Sequence, residues 1–68
     1  MIEINSLVKA ITPVDNKTSI LFEKGKVIYL GRRVLIQFES NICGHNGNGL
    51  GKDRYCWMCD WNAIVEVN

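Results

Sequence analysis

The chain has no long hydrophobic run. No apolar stretch exceeds five residues, against the roughly 20 that a membrane-spanning helix needs, so no segment is expected to cross a bilayer. The N-terminus, Met-Ile-Glu-Ile-Asn, has neither the basic region nor the apolar core of a secretory signal. An excess of one charge is also missing. Eight Lys and Arg against seven Asp and Glu leave a net charge of +1. That balance argues against strong non-specific nucleic-acid binding, which needs a basic excess. Cysteine is scarce and odd in number, at three, so a closed disulfide framework is excluded. A reducing cytoplasm is the expected compartment. Helical signals are absent as well: alanine occurs twice, and no window places apolar residues at i, i+3, i+4 and i+7.

What is there points to strands. Of 68 residues, 47% are hydrophobic, enough for a core and too many for a disordered segment. Length limits the chain to one small domain, residues 1–68. Val, Ile and Thr supply 16 residues, and β-branched side chains suit a pleated surface better than a helix.

A first strand is expected over residues 2–11, where Ile2, Ile4, Val8 and Ala10 alternate with Glu3, Asn5 and Lys9. A turn-rich loop follows, with Pro13, Asp15 and Asn16. Residues 26–30 and 33–38 flank Gly31-Arg32 and predict a hairpin closed by a type II′ turn. That register sets Tyr29 opposite Val34 and Ile28 opposite Leu35. It predicts a core face of Val27, Tyr29, Val34, Ile36 and Phe38. Ile28, Leu30 and Leu35 then share an outer face that must meet the first loop, a second copy of the chain or a partner. Residues 41–55 are a long loop, with seven Asn or Gly among 15 residues, and loops of that length are often functional. Residues 55–58 predict a short strand, Asp60-Trp61-Asn62 a turn and residues 63–67 a last strand. About five short strands without a helix imply a small closed barrel, because closure removes exposed edges.

Several residues carry a family pattern. A strand at Leu7 to Ile11 enters a long first loop, Gly25-Lys26-Val27 opens a hairpin, and Val34-Leu35-Ile36-Gln37-Phe38 closes it. Then come Gly44-His45-Asn46-Gly47-Asn48-Gly49, Cys56-Trp57 and a final apolar strand. The chain resembles an SH3-like barrel of the mind-bomb type, including small phage-encoded versions. The resemblance implies an all-β five-stranded barrel that recognises short segments of partner proteins rather than an enzyme. It further implies a phage protein that binds and modulates a host protein in the host cytoplasm.

Candidate binding residues for a protein partner are His45, Asn46 and Asn48 in the loop, Trp61 as a surface anchor, and Ile28 and Leu35 on the outer hairpin face. A homodimer through that face is a further form of association. The alternative function is a small nucleic-acid-binding barrel, with Lys24, Lys26, Arg32 and Arg33 tracking a phosphate backbone. Charged residues that protect a sheet edge explain the same cluster, and the low net charge favours that explanation. Cys43, His45, Cys56 and Cys59 match zinc's preference for soft ligands. Against zinc, Cys56 and Cys59 on one strand point to opposite faces. The chain is therefore expected to carry no cofactor. Nor is a catalytic centre expected: no acid is placed to orient His45 against a cysteine.

Overall fold

The computed structural model describes residues 1–67. Five antiparallel strands form one sheet: β1 (Leu7–Ala10), β2 (Lys24–Leu30), β3 (Val34–Phe38), β4 (Cys56–Cys59) and β5 (Ile64–Glu66). Their order is β4-β3-β2-β1-β5. The all-β, five-stranded expectation holds. Single 3-10 turns at Thr18–Ile20 and Trp61–Ala63 are the only helical pieces among the described residues. No ladder joins β4 to β5, so the barrel is not closed by hydrogen bonds. The sheet nevertheless curls round one core, to which β1 gives Val8 and Ala10, β2 Val27, β3 Val34, Ile36 and Phe38, β4 Cys59, and β5 Ile64. Near-equal extents of 26 × 22 × 21 Å reflect that curl.

The first strand is shorter than residues 2–11, because the chain turns before it. Asn5 takes φ 73 and Ser6 donates its N–H to the Glu3 carbonyl. From Leu7 onward the alternation stands, with Val8 and Ala10 fully buried. The first loop contributes to the core through Val14 and Ile20. Asp15 and Asn16 both sit at positive φ between the bridged residues Val14 and Lys17. Such a tight turn uses the tolerance of Asp and Asn for left-handed backbone.

The hairpin register corrects the sequence reading. Val27 pairs with Ile36 as expected, but Tyr29 pairs with Leu35 and Leu30 with Val34. A β-bulge at Ile28 inserts one residue into β2 and shifts the parity of its outer half. Leu30 therefore packs against the core, while Tyr29 stands on the outer face, 47% exposed. The connection becomes the three residues Gly31-Arg32-Arg33, and Gly31 does not take the positive φ of a type II′ turn. Gly31 instead lets the Tyr29 ring approach the backbone: a Cβ on it would lie 2.8 Å from Cε2 of that ring.

Candidate functional site

The site is built from the long loop and the outer face beneath it. Five residues of the loop take left-handed backbone: Cys43, Gly47, Asn48, Gly49 and Arg54. Its glycine and asparagine content answers that local demand. The loop folds back on β4. His45 exchanges two 3.0 Å backbone hydrogen bonds with Cys56, and Gly51 N–H donates to the Asn46 carbonyl at 2.9 Å. Side chains complete the ordering. His45 Nδ1 accepts from Gly47 N–H at 2.8 Å, Asn46 Oδ1 from Gly49 N–H at 3.2 Å and Asn41 Oδ1 from Cys43 N–H at 2.8 Å. Asn48 contributes its left-handed backbone, with φ 59.

This loop covers the outer hairpin face, and that overturns the reading of Ile28 and Leu35 as an exposed partner surface. Leu35 is 2% exposed. A Cβ on Gly47 would lie 2.7 Å from Leu35 Cδ2, and one on Gly51 would lie 2.8 Å from Ile28 Cδ1. The glycines let backbone lie directly on these side chains. Leu30, the third member expected on that face, belongs to the core. The physical cause is the size of the domain. Buried apolar area is scarce in so short a chain, and the loop covers a second apolar layer that the barrel interior cannot hold.

An open cleft of about 350 Å³ remains beside the covered layer, lined by Tyr29, Leu35, His45, Asn48, Leu50 and Met58 with Gly47. Tyr29, Leu35 and Met58 form its floor as one cross-strand row over β2, β3 and β4. His45 and Leu50 rise from the loop, and the Leu50 side chain is largely in water at 62% exposure. Trp61 stands nearby. Its indole N–H donates to the Gly31 carbonyl at 3.0 Å, and Gly31 lies under the Tyr29 ring. Trp61 is 43% exposed. Trp57 is half-buried against the core and donates to the Val14 carbonyl at 3.1 Å.

The structure thus brings His45, Asn48, Trp61 and Leu35 to one side of the molecule, with Leu35 as floor rather than anchor. Sequence reasoning missed Leu50 and Met58 and assigned Tyr29 to the core. Leu50 carried a signal, as the only large apolar side chain between Gly44 and Arg54.

The basic set does not converge. Arg33 is held by Asp60 at 2.9 Å and Asp15 at 3.1 Å. Those partners, the Asp15 hydrogen bond foremost, raise its pKa. Arg32 is at the hairpin tip, and Lys24 and Lys26 are at the opposite end of β2.

The cysteine set is divided as well. Cys43 is exposed. Cys56 faces outward under the loop, where burial raises its thiol pKa. Cys59 faces the core, where burial pushes its thiol up to about 12. Among the described residues no three His, Cys, Asp or Glu side chains are grouped to hold a metal. No family model, curated protein or solved structure matches the chain.

Proposed function

We propose that this chain is a small, non-enzymatic protein-interaction module that takes a short apolar segment of a partner protein into the cleft above Leu35. One observation carries the reading. Tyr29, Leu50 and Met58 converge on an open cleft, with exposed Trp61 close by. Aromatic and apolar anchors of this kind dominate binding energy at protein interfaces, and an exposed apolar cluster on a small domain marks an interaction site. The single histidine supports a binding rather than a catalytic role, since its Nδ1 is engaged in holding the loop. The sequence resembles SH3-like barrels of the mind-bomb type, which recognise short segments of partner proteins. On that resemblance, the partner is a host protein and the chain a phage product acting in the host cytoplasm. Three unbridged cysteines suit a reducing compartment. A homodimer through the outer hairpin face is not part of this reading, because the chain's own loop occupies that face. The nucleic-acid alternative is weakened by the pairing of Arg33 to two carboxylates.

The test is selection from a random peptide library, followed by titration of an enriched peptide against the parent protein and Leu50→Asp. Peptides with an apolar anchor should be enriched. Burying a leucine-sized contact is worth about 1.5–3 kcal/mol, so Leu50→Asp should weaken binding roughly tenfold or more. No enrichment, or equal affinity in Leu50→Asp, refutes the cleft as the binding site.

A further inference from the structure

The outer face of β1, β2 and β5 lies away from the cleft and carries an unusual juxtaposition. Lys9 of β1 is directly opposite Lys24 of β2, and Leu7 is opposite Lys26. The ladder bonds run through the residues on either side, from Val27 N–H to the Ser6 carbonyl and from Ala10 N–H to the Glu23 carbonyl. Lys9 and Lys24 are therefore a non-hydrogen-bonded pair, the closer kind, with Cβ atoms roughly 5 Å apart. Lys26 follows on the same face about 7 Å along the strand. Lys52 joins from the long loop: its N–H donates to Gln37 Oε1, and it lines one shallow groove with Lys26 and Leu7.

Like charges directly opposite one another oppose folding. None of these four lysines has an ion pair among the described residues. The Glu23 carboxylate accepts from the Ser40 hydroxyl, and Glu39 lines the groove without closing a salt bridge. The lysines are interleaved with exposed aliphatic side chains. Leu7 is 54% exposed, and Val65, paired with Lys9 on its other side, is 40% exposed.

We infer that this face is a second docking surface, and that its occupant is an acidic, partly apolar segment of a partner protein. Charge complementarity selects the acidic side chains, since four cations without ion pairs outnumber the two nearby carboxylates, Glu23 and Glu39. Leu7 and Val65 select a segment that also carries apolar side chains, which a phosphate backbone lacks. Of the two aromatic rings lining the groove, Phe38 is 2% exposed and Tyr55 has the Lys52 ammonium over one face at 4.1 Å, which disfavours stacking of a base there. This surface is separate from the cleft and does not depend on it.

The experiment uses a labelled peptide of alternating glutamate and leucine, its glutamine-for-glutamate analogue, and a single-stranded oligothymidine of matched length. Affinity is read by fluorescence anisotropy at low and high salt. The acidic peptide should bind best and weaken with salt. Its affinity should fall roughly tenfold or more in the Lys24→Glu/Lys26→Glu variant, where like charges now face it. It should be unchanged in Arg32→Glu, at the far end of the hairpin. Lys24→Glu relieves the repulsion with Lys9 but sets a second carboxylate opposite Glu39, so thermal melts of the double variant and the parent are compared, and binding is read at a temperature where both are folded. Four results overturn the inference: no binding of the acidic peptide, equal binding of the glutamine analogue, equal or tighter binding of the oligothymidine, or an equal loss in Arg32→Glu.

Discussion

Replacing Gly47 by alanine tests whether the long loop is a packed lid or a loose connection. Two costs arise at this position. Its φ of +63 is left-handed, which costs an L side chain about 1–2 kcal/mol. The reduced freedom of the unfolded chain returns about 0.4–1 kcal/mol of that. The added methyl would also meet Leu35 Cδ2 at 2.7 Å, with Cγ at 3.5 Å and Cδ1 at 3.6 Å behind it. Leu35 is 2% exposed and packed beneath the loop, so overpacking adds about 1–3 kcal/mol. The sum is about 1–5 kcal/mol with a midpoint of about 3, a large share of the roughly 3–10 kcal/mol expected for a domain of this length. Gly49 provides the comparison. It has φ +92, and a Cβ there would meet nothing within 4 Å, so Gly49→Ala should cost about 1 kcal/mol from backbone strain alone. Urea unfolding followed by tryptophan fluorescence reads both, with the midpoint moving at constant slope. The deciding measurement is a double-mutant cycle. Leu35→Ala by itself should cost about 2–5 kcal/mol. In that background the steric part of Gly47→Ala should vanish, a coupling of about 1–2 kcal/mol, whereas Gly49→Ala should show none. Absence of coupling between positions 47 and 35 would refute the lid.

Further outcomes follow from the same contacts. Leu35→Lys should destabilise by on the order of 3 kcal/mol or more, because it places an unpaired charge under the loop; a folded parent-like variant in a thermal melt would mean that this side chain reaches solvent. Brief alkylation of the native protein at mildly alkaline pH should modify Cys43 alone, with Cys56 and Cys59 reacting only in denaturant, as counted by mass spectrometry. Burial, with Asp60 and Asp15 adding to it and Arg33 opposing it, moves the Cys59 thiol from the ordinary 9.0 up to about 12. The unfolded chain then loses that proton first. The stability contributed by the buried neutral thiol is complete below about pH 9 and lost as pH rises towards 12; in urea melts across that range, Cys59→Ala should flatten the decline. Arg33→Ala frees Asp15 and Asp60, but exposed pairs are weak, so the loss should stay below about 1 kcal/mol and shrink in high salt; a larger, salt-independent loss would point to packing by the Arg33 stem.

The strand content was legible in the sequence because it rests on local demands. Val8 and Ala10 on β1, and Val34, Ile36 and Phe38 on β3, repeat with period two, and all five are buried. The glycines and asparagines of the loop were legible for a similar reason: a left-handed residue states its need in its own side chain, as at Gly47, Asn48 and Gly49. The outer half of β2 was not legible. Val27-Ile28-Tyr29-Leu30 is apolar at every position, so no alternation records which row points inward. Packing decided it, turning Leu30, half-buried beside Val34, towards the core and leaving Tyr29 on the outer face at 47% exposure. Nor could the sequence announce that Gly47 would rest on Leu35, or that Lys9, Lys24 and Lys52 would share one face with Leu7 and Val65. Those neighbours come from segments far apart along the chain. The curl of the sheet and the folding back of residues 41–55 create the contacts, and neither leaves a periodic trace in the residues concerned.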